Sequence, residues 1–349
     1  MKILQILIDD RTGGAEALAA LLDREMSSRH HEMATLHIDP NGEAGRVERL
    51  RNVTCQLSGF CPDVVMSHCA IPNMYGRLGV VLTRRRPGTV IVLHSASRDY
   101  DDWKLRAAEQ ILSYLRRSVV VAVSDKLAAE YLDLGISTDV RVITNVADSR
   151  FVRRPAHALH GNQALRLLAV GRIDPQKDYL TIIEGVRYAV DRVLSRKICL
   201  RILGTVTDVA YLREVTSAIR SVKEVSVELL GPVANVLPHL MWADLFIHGA
   251  KSEASPSPVA VEEARSVGVP IVLADRVARE HRPGQILYNG GRARSLALAL
   301  RQAVQTYAEL EAAARSAAVD PAEARGRLDE WIDAYEAVCE RSTAVSMRL

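Results

Sequence analysis

An α/β chain of two doubly wound parallel-sheet domains is what the sequence predicts, and three observations predict it. Short apolar runs rich in Val, Ile and Leu alternate with helix-length segments through both halves, the pattern of buried parallel strands joined by crossover helices. The alternation lapses over 147–164, where the composition turns polar (ADSRFVRRPAHALHGNQA). A length of 349 residues suffices for two domains with a core each. The expected division is a first domain over 1–150, a linker over 151–164, a second domain over 165–320 and a terminal helix over 321–349.

Composition narrows the function. Hydrophobic residues make up 48% and charged residues 25%, close to soluble globular averages, which excludes a disordered chain. A formal charge of +3 argues against a general nucleic-acid binder. The runs Arg84-Arg85-Arg86, Arg116-Arg117 and Arg153-Arg154 read as solvated helix ends or loops, or as docking points for an anionic membrane surface. Five cysteines, at 55, 61, 69, 199 and 339, lack C-x-x-C spacing and fit reduced thiols better than a zinc site or a disulfide framework. The opening MKILQILIDD is too short an apolar run for a signal or a membrane span. A cytoplasmic protein is expected, in peripheral contact with the membrane if the basic runs dock there.

In the first half, strands are predicted at 3–8, 33–38, 63–67, 89–94, 119–123 and 140–144, with helices at 15–26, 73–83, 103–115 and 126–134. In such a sheet ligands gather beyond the carboxyl ends of the strands, so residues just after strands are the site candidates. Gly13 and Gly14 follow the first strand and permit close backbone approach. His68 follows the third, where a histidine is more often structural than functional. His94 follows the fourth, where an imidazole can serve as a hydrogen-bond donor. Asp99 and Asp101 in the next loop imitate a metal-binding Asp-x-Asp, but the complete second α/β half argues for acceptor contacts or helix capping instead. Ser124 is a good N-cap, and Asn145 follows the sixth strand.

In the second half, strands are predicted at 165–170, 198–203, 225–230, 245–248 and 271–273. The first runs into Gly171-Arg172, and Lys177 opens the next helix; Arg offers a planar fork and Lys a point charge to phosphate oxygens. Gly204 and Gly231 end the next two strands. After the strand at 245–248, Ser257 is expected to cap a helix with Pro258 at its first position, and Gly268 with Pro270 to stop it. That helix N-terminus favours an anion, and Glu262 or Glu263 behind it could accept from two neighbouring sugar hydroxyls. The segment 276–290 reads as a loop, followed by helices over 296–307 and from Asp320-Pro321 with the stripe Leu328, Trp331, Ile332, Tyr335, Val338.

Glu263, Ala264, Gly268 and Pro270, with Gly13-Gly14-Ala15-Glu16 and Gly171-Arg172 followed by Lys177, resemble the motifs of the retaining glycosyltransferases of family GT4. The resemblance covers about residues 1–340. It implies the GT-B fold, two Rossmann-like domains facing a central cleft, with the last helix packing back on the acceptor-binding first domain. It implies a nucleotide-diphosphate sugar as donor, UDP ahead of GDP, a hydroxyl acceptor on a saccharide, lipid-linked saccharide or natural product, and neither cofactor nor metal. Catalytic roles fall on His94, near the donor sugar, and on Arg172, Lys177 and Glu253. Donor contacts fall on Gly13, Gly14, Gly204, Gly231, Ser255, Pro258, Val259 and Glu263, the last on the ribose. Acceptor contacts fall on His68, Asn145 and Asp99.

The sequence departs from the family at two places. The first of the family's paired glutamates should stand at 255, which is Ser255, so Glu253 takes that role only if the loop is two residues longer. The family's Gly-Gly-x-x-Glu is missing from 276–290, where Glu280 and Gly284 keep a loose echo. Two other readings therefore stand beside a transferase: a non-hydrolysing sugar-nucleotide epimerase of the same fold, and a catalytically weak binding subunit.

Overall fold

The computed structural model describes residues 1–347 apart from 9–12, 40–43, 84–85, 95–99, 101, 116, 137–139, 160–162, 193, 195, 223–224, 254–257 and 279–280. It divides into two units, Met1–Asn145 with Asp329–Leu349, and Val146–Leu328. Each carries a six-stranded parallel sheet flanked by helices.

In the first unit the strands are β1 (Lys2–Leu7), β2 (Glu32–His37), β3 (Val64–His68), β4 (Gly88–Leu93), β5 (Val119–Ala122) and β6 (Val140–Val142), in the order β2-β1-β3-β4-β5-β6. Central strands β3, β4 and β5 are buried throughout, as strands covered on both faces must be. The crossovers are α1 (Gly14–Ser28), α2 (Arg46–Phe60), α3 (Ala70–Leu82), α4 (Trp103–Leu115) and α5 (Asp125–Asp133), the last capped by Ser124, whose Oγ accepts from Leu127 N. Strand order reverses between β1 and β3, so Gly13 and His68 lie at the switch point, where ligands bind in open α/β sheets.

In the second unit β7 (Leu165–Val170), β8 (Ile198–Leu203), β9 (Val225–Gly231), β10 (Leu245–His248), β11 (Ile271–Ala274) and β12 (Gln285–Tyr288) run in the order β12-β11-β10-β7-β8-β9. The switch point falls between β7 and β10. The crossovers are α6 (Tyr179–Arg192), α7 (Val209–Ser221), α8 (Leu237–Trp242) and α9 (Val259–Val267), and α10 (Ala293–Gln305) and α11 (Tyr307–Ser316) follow β12.

Three expectations are corrected. The described residues of 151–164 are not a free linker: Phe151 is buried in the second unit's core, and Arg154 is buried with its Nη1 donating to the Ala243 carbonyl at 2.5 Å. Arg153 Nη2 donates to the Ala318 carbonyl at 3.0 Å, so this arginine pair ties backbone together and is no solvated cluster. The supposed loop over 276–290 contains β12, whose Ile286 and Tyr288 are buried. Pro258 is the N-cap of α9 rather than its first residue: its ψ of 141° is extended, and its carbonyl accepts from Val261 N and Glu262 N.

The terminal helix α12 (Pro321–Met347) belongs to the first unit from Asp329 onward. There Arg29 pairs with Asp329, Asp333 and Glu336, His31 Nε2 lies 2.8 Å from Glu336 Oε1, and Trp331 Nε1 donates to the Thr144 carbonyl at 3.1 Å. Asn145 follows directly as the last residue of that stretch.

Helix α4 is held from within by a polar network that no periodicity reveals. Glu109, 2% exposed, receives Arg77 Nη1 at 3.0 Å, Tyr131 Oη at 2.9 Å and Asn73 Nδ2 at 2.5 Å, while Arg77 Nε reaches Ser118 Oγ at 2.9 Å. Removing one member of such a pair strands a buried charge. Glu109→Ala is therefore expected to cost about 3–5 kcal/mol, read from denaturant midpoints. A variant within about 1 kcal/mol of wild type would mean that α4 does not depend on the network.

Candidate functional site

The carboxyl ends of β7, β8 and β9 each finish in glycine. Gly171, Gly204 and Gly231 have φ of +157°, +152° and +70°, and a Cβ on Gly204 would lie 1.8 Å from the Gly171 carbonyl oxygen. Gly171 N donates to Leu203 O and Gly204 N to Gly231 O, both at 2.9 Å. The result is a shelf of bare backbone that no side chain could occupy.

Arg172 to Asp178 turn from this shelf into α6. Asp174 organises the turn: Oδ1 accepts from Gln176 N at 2.9 Å and Lys177 N at 3.2 Å, and Oδ2 accepts from Arg172 Nε at 3.0 Å. The turn is tied across the switch point to the segment after β10 by Lys251 N to Gln176 O and Gln176 Nε2 to Ser252 O, both 2.8 Å. In the same place Lys177 Nζ pairs with Glu253 Oε1, which also receives His248 Nε2 at 2.9 Å.

Burial alone would raise the Glu253 pKa, but the His248 hydrogen bond and the Lys177 charge outweigh it and hold the carboxyl down at about 2. Burial lowers the His248 pKa, and Glu253 only partly restores it. A buried carboxylate is thus satisfied by one ammonium and one neutral imidazole. Of the two residues proposed for the family's first acid, Glu253 is in contact with Lys177, while Ser255 and Ser257 lie outside the described residues. Asp174 and His248 were not singled out from sequence. Each predicted cation, Arg172 and Lys177, is already matched by one carboxylate.

The structure also separates Glu262 from Glu263. Glu262 pairs with Arg265 and lies 3.7 Å from Arg282. Glu263 is half-buried and, among the described residues, its carboxylate receives no hydrogen bond. Burial, then the negative charge of Asp148, push its pKa up to about 8, with Arg150 opposing. Pro258 is buried and Val259 half-buried at the start of the same helix.

In the first unit, Gly13 caps α1, and a Cβ on Gly14 would meet nothing within 4 Å. His68 and His94, at adjacent strand ends, stack with ring centroids 5.4 Å apart, and His68 Nδ1 lies 3.1 Å from His94 Nε2. His68 Nε2 lies 3.0 Å from Gln5 Oε1, and Gln5 Nε2 donates to the Ala19 carbonyl at 3.1 Å. Burial, with the neighbouring His94 adding to it, drops the His68 pKa well below its usual value, and burial lowers that of His94 to about 4. Gln5 went unmarked in sequence, although a fully buried glutamine inside the run KILQIL is itself a signal. Asp99 and Asp101 lie outside the described residues.

A carboxyl whose folded pKa is raised favours the native state fully below its unfolded pKa and loses that advantage as pH rises through the folded value. Wild type is therefore expected to lose stability relative to Glu263→Gln between about pH 4.5 and 8. Denaturant midpoints at pH 5, 7 and 9 check this. Parallel curves for the two proteins would show that Glu263 ionises as an ordinary surface glutamate.

Two family models match in tandem. Residues 25–151 match the model described as Glycosyltransferase Family 4, and residues 164–306 the one described as Glycosyl transferases group 1. A comparison with curated proteins finds no match. Among solved structures, Anabaena Alr3699/HepE in complex with UDP and glucose aligns with TM-score 0.73 at 17% identity over 96% of this chain and 100% of that one. Sucrose-phosphate synthase from Thermosynechococcus elongatus aligns at 0.71 and 15% over 100% and 98%, and a glycosyltransferase from Rickettsia africae at 0.71 and 13% over 97% and 98%. At such identities the likeness is one of fold, the GT-B arrangement of two Rossmann-like domains, and the tandem family matches supply the rest: the chain belongs to the family 4, group 1 glycosyltransferases.

Proposed function

We propose that the protein moves a sugar from a nucleoside-diphosphate donor to an acceptor hydroxyl on a saccharide, lipid-linked saccharide or natural product, with retention of configuration and without a metal. The observation that carries this is the meeting of the glycine shelf, Arg172, and the Lys177, Glu253 and His248 cluster at one switch point. The glycine shelf gives room for a nucleotide, and Glu263 offers an unpartnered carboxyl for the ribose diol. UDP is placed ahead of GDP because Alr3699/HepE is solved with UDP-glucose.

In the reaction the bond from the anomeric carbon to the phosphate oxygen breaks, the acceptor oxygen bonds to that carbon from the same face, and its proton passes to the departing phosphate. Negative charge grows on the diphosphate, and Arg172 and Lys177 are the fixed cations available to it. Their present carboxylate partners set the terms: as phosphate takes over Lys177, Glu253 is released to accept hydroxyls of the donor sugar. Glu253 stays ionised throughout, given its lowered pKa.

Lys177→Ala and Glu263→Ala are each expected to lower kcat/KM about a hundredfold or more while the protein stays folded. Nucleoside diphosphate should be released only when acceptor is present. Release or epimerisation without acceptor would favour the epimerase, binding without turnover a non-catalytic subunit, and unchanged rates in both variants would remove the site assignment.

Membrane contact is part of this proposal, with α4 as the docking element. Trp103, Ile111 and Tyr114 are 71%, 60% and 90% exposed, Leu115 is 55% exposed, and they line the face opposite the buried Glu109 and Leu112. Lys104, Arg117 and Arg86 are exposed nearby in sequence, while Arg84, Arg85 and Arg116 lie outside the described residues. An apolar stripe with basic flanks complements an anionic lipid surface. Co-sedimentation with phosphatidylglycerol vesicles should be weakened about tenfold by the double change Trp103→Ala and Tyr114→Ala, and by salt. Equal binding to neutral phosphatidylcholine, or none to either, would overturn it.

A further inference from the structure

The hydrogen bonds around His94 determine which of its ring nitrogens carries a proton. The Ala19 carbonyl can only accept, so the Gln5 atom facing it at 3.1 Å is the amide nitrogen, and the Gln5 oxygen faces His68. An amide oxygen can only accept, so His68 Nε2 carries its proton. His68 is fully buried, and no carboxylate is among its partners, so its ring is neutral and its Nδ1 is a lone pair. That lone pair lies 3.1 Å from His94 Nε2, which must therefore be the donor.

His94 is half-buried, and its low pKa keeps it neutral as well. A neutral imidazole protonated at Nε2 has its lone pair at Nδ1. Among the described residues that nitrogen has no hydrogen-bond partner, and it is not among the buried polar atoms left unsatisfied. Each link reads in one direction only, from a backbone carbonyl of α1 to an open ring nitrogen at the end of β4.

We infer that Gln5 and His68 are positioning residues that lock His94 in the Nε2-protonated form, so that its Nδ1 is a dedicated acceptor for a hydroxyl of the substrate. The sequence alone suggested His94 as a donor; the chain of bonds reverses that polarity. An acceptor at this position selects a ligand atom with a hydrogen to give, such as a sugar hydroxyl, and disfavours phosphate or carboxylate oxygen at the same place. Gln5 thereby acts on substrate choice although it is fully buried. The role assigned to the hydroxyl rests on the transferase reading above, whereas the tautomer does not.

Nitrogen-15 NMR of the full chain labelled at histidine is the test, because protonated and unprotonated ring nitrogens resonate far apart. Wild type is expected to show His68 and His94 each with the proton on Nε2. A proton on His94 Nδ1 would overturn the inference, and this spectrum decides the tautomer even if no variant folds. Gln5→Met removes the acceptor that orients His68, and should give a mixture of His94 tautomers while the affinity for UDP stays within twofold.

Transfer is then assayed with UDP-glucose, UDP-galactose and UDP-N-acetylglucosamine. With whichever donor turns over, Gln5→Met should lower kcat/KM about tenfold. An unchanged tautomer in a folded Gln5→Met variant would remove Gln5 from the mechanism, and a mixed tautomer with unchanged kcat/KM would remove the substrate role. If wild type transfers from none of these donors, the proposed function fails by itself, and the tautomer result still stands or falls on its spectrum.

Discussion

The constraint behind everything else is that a parallel sheet returns every strand through a helix. Each strand thus ends by handing its backbone to a turn at the same edge, with helix N-termini and unpaired amides gathered there. Where strand order reverses, two such turns diverge and leave room between them. Both sheets place their chemistry there: Gly13 and His68 after β1 and β3, Gly171 and the Gly249 to Glu253 segment after β7 and β10. The glycines are required by that geometry. At Gly204 even a methyl group would strike the neighbouring strand's carbonyl.

The electrostatics of the second unit's site are less simple than two free cations awaiting an anion. Arg172 with Asp174, and Lys177 with Glu253, make a cluster that is neutral in sum. Half-buried lysine and arginine left alone would carry a desolvation cost that burial of their partners now offsets. The pairings also hold the cations in place before a ligand arrives, which preorganises them. The cost is that an incoming phosphate must compete with a carboxylate already seated. That competition links recognition of the charged part of a ligand to release of an acceptor group for its hydroxyls.

Much of the fold was legible because it rests on local pattern. Runs such as VIVL and LRLLAV can hardly be anything but buried strands, and α4 was delimited to the residue at 103–115. What escaped was either weak in pattern or remote in sequence. Helix α2 buries only Val53 and Leu57 along its length, so its stripe is faint. Strand β12 is four residues at a sheet edge, within a segment compared with a loop motif it does not contain. Phe151 and Arg154 lie in a polar stretch, and only the tertiary structure shows them buried. At the sites, single residues after strands were visible, but their partners were not. Gln5 meets His68 across 63 positions and Lys177 meets Glu253 across 76, separations at which periodicity carries no information.

The two units share one device at those separations. Each keeps a buried histidine at a strand end, His68 on β3 and His248 on β10, with its pKa lowered by burial and its Nε2 directed at an acceptor oxygen. A lysine or arginine there would add a full charge to a site that must release a charged product. A serine or threonine could rotate its hydroxyl and leave the direction of donation unset. A neutral imidazole adds no net charge, and once one nitrogen is committed the character of the other follows. For His248 the committed nitrogen steadies the Glu253 carboxylate; for His68 it determines how His94 meets whatever lies beyond it. Burial, which makes a histidine a poor cation, is the property that makes it a reliable one-way contact.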